Sequence, residues 1–155
     1  MEKEARSIVA GYHIGVLQPL FRFQNNELTY LSKRSFYTIG MPAGITLRTS
    51  GRLLIDLEFV PIIKPYGGSD QPIEVHMLYH PGFLMPLGDG FTIGLRLAFE
   101  TGVNQIGGSL IFNKAWKINE QSNFFAELVM PGRYGPEKDS AYSQVVAVHL
   151  GLCFR

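Results

Sequence analysis

Apolar and polar residues alternate with a period of two along most of this chain. In residues 91–99 every odd position is bulky and apolar, while the even positions are Thr, Gly, Arg and Ala. Successive side chains of a β-strand point to opposite faces, so this pattern predicts a strand with one apolar face. The period of 3.6 residues that would indicate an amphipathic helix of normal length is almost absent. The alternation therefore predicts an all-β fold.

Turn-forming residues divide the chain into eight predicted strands. Short links rich in Gly, Ser, Asn and Asp follow the second, fourth and sixth strands. Longer polar segments, residues 24–35, 65–72 and 132–140, follow the first, third and seventh strands. Alternating short and long links are typical of an up-and-down antiparallel β-barrel with one tightly turned rim. We predict a single domain over residues 1–155, in which residues 1–6 are a disordered or processed N-terminus.

Several prolines fall in or beside the predicted strands, and each removes a backbone hydrogen-bond donor. Most of them stand where a strand can end or bulge. Pro42 stands within the second predicted strand, residues 36–49. We therefore expect a bulge or a break in that strand at Pro42.

The composition of the less apolar strand face separates two kinds of eight-stranded barrel. A soluble lipocalin-like barrel is apolar inside and polar outside, whereas a membrane barrel has the opposite arrangement. Here the less apolar face is rich in Gly and Ala and carries isolated charges, which suits a narrow interior better than a solvated surface. The pattern favours an eight-stranded antiparallel transmembrane β-barrel with a polar, plugged lumen.

The charges on this face have both signs, and buried charges are costly unless they are paired and hydrogen-bonded. We expect them to form a structural network across the lumen. Closure of the barrel would also bring His13 on the first strand towards His149 on the last. The predicted network consists of Arg48, Arg52, Asp56, Glu58, Glu74, His76, Arg96, Glu100, Glu127 and His149.

Overall charge and cysteine content exclude some classes of partner and site. The formal net charge is +1, so no strong field attracts nucleic acid. The one cysteine, Cys153, offers no metal-ligand spacing. No apolar run reaches the roughly 18 residues of a membrane helix, and residues 1–7 lack the apolar segment of a signal peptide. Export would therefore require that a signal peptide has been removed, and a cytosolic protein is the alternative.

Candidate catalytic and metal-binding residues are few. His76 and His80 share a strand face with Glu74, but strand neighbours of this kind are more often hydrogen-bonding partners than metal ligands. The His-x-Ser arrangement that resembles lipid A deacylases does not occur. We predict no cofactor, no metal and no catalytic site.

The last predicted strand resembles the C-terminal signal of bacterial outer-membrane barrels, because apolar residues alternate up to Phe154, with Arg155 following it. More broadly, the chain is similar to small eight-stranded outer-membrane β-barrel proteins, including those of Bacteroidetes type. This resemblance lies mainly in residues 90–94, 113–118 and 124–128. The resemblance implies a monomer in outer-membrane lipid with a structural or surface-interaction role. A surface ligand would bind through the three longer loops. The alternatives are a soluble lipocalin-like barrel with an apolar ligand and a lipid A-modifying barrel enzyme.

Overall fold

The computed structural model describes residues 7–32, 37–64, 73–101, 105–135 and 142–155, and their fold is all-β. Within these ranges the structure holds no helix with the length and hydropathy needed to cross a bilayer. The strands are β1 (Val9–Gln24), β2 (Glu27–Tyr30), β3 (Ile39–Gly40), β4 (Ala43–Arg48), β5 (Leu54–Lys64), β6 (Glu74–Gly88), β7 (Phe91–Glu100), β8 (Gln105–Lys117), β9 (Ser122–Tyr134) and β10 (Ser143–Phe154).

All ten strands belong to one antiparallel sheet whose hydrogen bonding returns on itself as a ring. Neighbours from β5 to β10 pair in chain order, and β10 then pairs with β1, from Tyr12 opposite Phe154 to Gln24 opposite Ser143. The short links after β4, β6 and β8 lie at one end of the ring, which we call the turn end. The opposite end is the loop end. Because the first and last strands pair, neither leaves an open sheet edge along this contact.

The described residues form two more strands than the eight expected, and β2 is one of them. It forms a hairpin with β1 through Asn25 and Asn26, which both have positive φ (52° and 61°). Asparagine tolerates this left-handed geometry, which a tight two-residue hairpin turn requires. The prediction of a loop over residues 24–35 is therefore wrong for Glu27–Tyr30.

The second additional strand results from the expected interruption at Pro42, which divides the second predicted strand into β3 and β4. The neighbouring backbone groups keep their partners across the break. The Met41 amide donates to the Pro61 carbonyl (2.9 Å), and the Gly15 amide donates to the Pro42 carbonyl (3.0 Å). The missing amide of proline thus interrupts the ladder without leaving these groups unpaired.

Two strands are longer than expected at the loop end. The sequence predicts strands over residues 109–118 and 124–130, whereas β8 begins at Gln105 and β9 extends to Tyr134. The sequence predicts a turn at Gly107 and Gly108, but both residues pair within the sheet. The predicted loop 132–140 therefore begins later. Residues 1–6, 65–72 and 136–141 lie outside the described residues.

Alternation along each strand separates an apolar outer face from a mixed inner face. In β7, Phe91, Leu95, Leu97 and Phe99 are exposed, whereas Gly94, Arg96, Ala98 and Glu100 are buried. A buried apolar layer fills the middle of the ring. It comprises Leu17, Val60, Ile62, Leu78, Ala98, Ile111, Val129 and Ala147.

Inward-facing glycines provide room for large side chains from neighbouring strands. A Cβ atom added to Gly82 would lie 2.7 Å from both Cα and Cγ of Arg96, its partner on β7. One added to Gly151 would lie 2.6 Å from Cζ of Phe125. These distances are shorter than real carbon–carbon contacts, so the narrow interior depends on glycine at these positions.

Gly82→Ala should therefore destabilise the folded chain by about 1–3 kcal/mol, because the new methyl group overpacks against Arg96. Gly51→Ala is the matched control, since its added Cβ has only Thr49 Oγ1 within 4 Å, at 3.9 Å. The control should change stability by no more than about 0.5 kcal/mol. Urea unfolding of the two variants measures the difference, and equal losses would contradict this account.

Candidate functional site

A buried group of charged residues, which we call the ionic cluster, lies inside the ring on the turn-end side of the apolar layer. All its members are at most 6% exposed. Each member occupies an inward position, and the strands that bring them together are β1, β5, β6, β7, β9 and β10. The cluster consists of Asp56, Glu58, Arg96 and Glu127 with His13, His80 and His149.

Arg96 is the centre of the ionic cluster because its guanidinium contacts three carboxylates. Its Nε donates to Asp56 Oδ2 (2.8 Å), and Nη2 lies 2.8 Å from the same oxygen. Its Nη1 donates to Glu58 Oε1 and to Glu127 Oε1, each at 3.1 Å. One planar guanidinium therefore joins β5 and β9 through β7, a role that suits the fixed donor geometry of arginine.

Three imidazoles surround these carboxylates. His13 Nε2 donates to Glu58 Oε2 (3.1 Å), and His80 Nδ1 donates to Glu58 Oε1 (3.1 Å). His149 Nδ1 donates to Glu127 Oε1 (3.2 Å). Ionised carboxylates only accept hydrogen bonds, so the imidazole nitrogens must carry the protons in these contacts.

Two neutral side chains complete the hydrogen bonding of the carboxylates. Thr46 Oγ1 donates to Asp56 Oδ1 (2.9 Å), and Asn113 Nδ2 donates to Glu127 Oε2 (3.3 Å). With these contacts, both oxygens of Asp56, Glu58 and Glu127 have a donor. The cluster is therefore an ordered unit, whose carboxylates are held in fixed positions.

A cavity of about 200 Å³ lies beside the ionic cluster near the turn end. Its polar lining includes His13, Asp56, Arg96, Glu127 and His149, and Cys153 also lines it. The volume is sufficient for several water molecules, and the lining offers them polar partners. One side of the cluster therefore faces a space that water can occupy.

A second, smaller polar group lies on the loop-end side of the apolar layer. His76 Nδ1 is 3.0 Å from Glu100 Oε1 and 3.4 Å from Lys64 Nζ. Arg133 contacts the other oxygen of Glu100. Leu78 and Ala98 stand between the two groups along β6 and β7, so apolar side chains separate them.

The structure brings together most, but not all, of the residues predicted for the lumen network. Asp56, Glu58, Arg96, Glu127 and His149 meet in the ionic cluster. His76 and Glu100 instead contact each other in the smaller group.

Arg48, Arg52 and Glu74 are the predicted residues that the structure does not bring into either group. Arg48 is exposed at the end of β4, where its Nη1 donates to the Ser7 carbonyl (2.8 Å). Arg52 is exposed in the following turn. Arg48 is the last residue of β4 and Arg52 precedes β5, so both stand at the turn end, where a side chain reaches solvent instead of the interior. Glu74 begins β6 opposite Lys64, and its side chain lies outside the described part of the structure.

Sequence reasoning placed neither His13 nor His80 in the predicted network. His13 was expected to approach His149 on closure, and their ring centroids are 6.4 Å apart. His80 shares its inward face with His76, so alternation alone could have included it. Among the described residues, no group of three or more His, Cys, Asp or Glu has the arrangement to hold a metal ion.

The chain matches no protein-family model, no curated protein and no solved structure. The chemical capacity of the site must therefore be inferred from its geometry. Three imidazoles and three carboxylates around one guanidinium form an arrangement that can hold protons and redistribute them along hydrogen bonds.

Replacing Arg96 should strongly destabilise the fold. Arg96→Gln would leave three buried carboxylates without their cation, and removal of one partner from a buried ionic group costs about 3–5 kcal/mol. Arg52→Gln removes an equal charge from an exposed turn and should change stability by less than about 0.5 kcal/mol. A comparison of urea-unfolding midpoints tests this, and a mild effect of Arg96→Gln would refute a central role for Arg96.

Proposed function

We propose that the ring is an eight-stranded β-barrel inserted in a bacterial outer membrane. In this proposal its lumen is plugged, and it has a structural or surface-interaction role rather than an enzymatic one. The main support for the proposal is the distribution of polar and apolar residues, which is the reverse of that in a water-soluble protein. Charged residues are buried inside the ring, and large apolar side chains cover its outside. A water-soluble ring would expose its charged residues and bury its apolar ones.

The apolar outer surface continues around the ring, which supports contact with lipid. Soluble monomers rarely expose contiguous apolar patches larger than a few hundred Å². Here exposed apolar side chains occur on every long strand. Examples are Ile14, Phe59, Phe83, Leu95, Phe112, Phe124 and Leu150.

The pairing pattern is compatible with eight positions around the ring. β2, β3 and β4 follow one another along the same edge of β1, where they pair with residues near its end, its middle and its start. If these three short strands count as one interrupted strand, the ten strands occupy eight positions. An eight-stranded barrel has an interior that side chains can fill.

Exposed aromatic residues near both ends of the ring support an interfacial arrangement. Trp116 and Phe124 stack near the turn end, with ring centroids 5.8 Å apart. Tyr134 and Tyr142 are neighbours near the loop end, at 5.1 Å. Aromatic side chains in two belts are typical of membrane barrels, because their rings favour the headgroup level of the bilayer.

The filled interior argues against two other functions. The apolar layer and the ionic cluster together occupy the lumen, which disfavours passage of solutes. A lipocalin-like carrier needs an internal apolar cavity of roughly 300–1,000 Å³. The cavity at the turn end is only about 200 Å³, and its lining includes the charged side chains of Asp56, Arg96 and Glu127. A structural role, or attachment through the loop end, agrees better with these features.

Leu95→Arg and Leu87→Arg form a matched pair that tests insertion, because both leucines are 60% exposed. Leu95 lies in the middle of β7, whereas Leu87 lies beside the turn that ends β6. In a bilayer Leu95→Arg should cost about 2–4 kcal/mol and Leu87→Arg about 0–1 kcal/mol, because the cost of a lipid-facing charge depends on depth. If the outer surface instead faces water, the two substitutions should change the stability of the folded chain equally and only slightly.

The measurement is folding of the full chain and both variants into phosphatidylcholine vesicles, followed by heat-modifiable gel mobility. We expect the unaltered chain and Leu87→Arg to fold with similar efficiency and Leu95→Arg to fold poorly. Equal folding of the two variants would contradict insertion. A soluble, monodisperse monomer without detergent or lipid would overturn the proposal outright.

A further inference from the structure

Among the described residues of β1 and β4 to β10, Lys114 is the only charged residue at an outward-facing position. It lies on β8, opposite Phe91 on β7 and Ala126 on β9. Phe91 is exposed on the outer wall, and Lys114 shares that face with Phe112 and Trp116. Lys114 is therefore the one outward position of these strands from which a protein charge can reach a ligand beside the wall.

The ammonium group of Lys114 forms no ion pair with a carboxylate of the described residues, including that of Asp89. Its Nζ donates to the backbone carbonyl of Asp89 and lies 3.9 Å from the centroid of the Phe91 ring. An ammonium group has three donors, and this carbonyl accepts from one of them. Because Asp89 stands in the turn after β6, the charge lies towards the turn end while the aliphatic stem follows the outer wall.

A groove of about 310 Å³ runs along the outer wall beside Lys114. Two rows of side chains from neighbouring strands line it. They are Phe91, Lys114 and Ala126 nearest the turn end, and Phe112, Leu128 and Val148 two residues deeper. Ala126 has the smallest side chain of the six, so the wall is lowest beside the lysine.

The groove has one charged end, and the rest of its side-chain lining is apolar. Asn113 and Glu127 also border it, but their side chains point into the ring, where Asn113 donates to Glu127 and Glu127 accepts from Arg96. The positive charge of Lys114 thus faces the groove without an opposing carboxylate. A molecule with an anionic headgroup and a hydrocarbon chain matches both parts of the groove.

We propose that this groove binds an anionic phospholipid. The phosphate contacts Lys114, and one acyl chain lies against Phe112, Leu128 and Val148. The inference rests on the proposed insertion in a membrane, and it adds the preferred lipid and the place where it binds. Hydrocarbon chains are alike in anionic and zwitterionic lipids, so the charge of Lys114 provides the selectivity. A lysine beside an anionic headgroup strengthens binding about fivefold.

Other cations at the turn end lie on different parts of the rim. Arg48 ends β4, and Arg52 is exposed in the turn before β5. Lys117 ends β8, but alternation directs it away from the outer face that carries Lys114. Such charges would attract anionic lipid to the whole rim without positioning it. A test must therefore separate Lys114 from the rim.

Trp116 provides a local probe, because it is the single tryptophan of the chain and is 48% exposed. It lies two residues from Lys114 on the same face of β8, which corresponds to about 7 Å along the strand. Contact with brominated acyl chains quenches tryptophan fluorescence. Quenching of Trp116 therefore reports which lipid occupies the wall beside Lys114.

The full chain is folded into vesicles of phosphatidylcholine and phosphatidylglycerol in varied ratio, with brominated chains on one lipid or the other. The two quenching curves give the ratio of binding constants beside Trp116. We expect phosphatidylglycerol to bind about fivefold more tightly or better. Lys114→Gln should lower this preference about fivefold, whereas Lys114→Arg, which keeps the charge, should retain it. Arg52→Gln is the matched control and should leave the preference unchanged, because it removes the same charge elsewhere on the rim.

Equal binding of the two lipids in the unaltered chain would overturn the lipid site but leave insertion intact, since quenching itself requires contact with acyl chains. Absence of quenching by either lipid would overturn insertion and the site together. An equal loss of preference in Lys114→Gln and Arg52→Gln would also overturn the site, because the rim as a whole would then attract the lipid.

Discussion

The contact of one guanidinium with three carboxylates is the interaction on which the interior depends. Arg96 on β7 reaches Asp56 and Glu58 on β5 and Glu127 on β9, so it joins parts of the ring that are not adjacent in the sheet. These contacts are possible only if the opposite walls are close. The glycines that face large side chains meet that requirement, because any Cβ at Gly82 would displace Arg96 itself.

Burial of the charges inside the ring goes together with the apolar outer surface. Each long strand presents one face to the ionic cluster, the apolar layer or the smaller polar group, and leaves the other face to the surroundings. The same alternation thus provides both the filled interior and the surface suited to lipid. A change of pairing register by one residue would move Arg96 outward and Leu95 inward, so the polarity pattern also fixes the register.

Local pattern predicted an all-β antiparallel fold, because alternation is a property of a single strand. It also assigned Asp56, Glu58, Arg96 and Glu127 to the inner face, and the structure buries all four. The pattern could not predict which residues meet, since contacts across the ring depend on the stagger between strands. His76 and Glu100 are separated from the ionic cluster by apolar side chains for this reason. The Asn25–Asn26 hairpin was missed because its second strand has only four residues.

β1 and β10 lie near the two ends of the chain, so their pairing affects the order in which strand pairs form during folding. His13 and His149 are far apart in sequence and become neighbours only through this pairing. Loop closure over so long a segment is entropically unfavourable, so other strand pairs can form before this seam does. Until the seam closes, Glu58 and Glu127 lack two of their imidazole partners. In an open ring water would hydrate these carboxylates, and closure of the seam must remove that water as the imidazoles replace it.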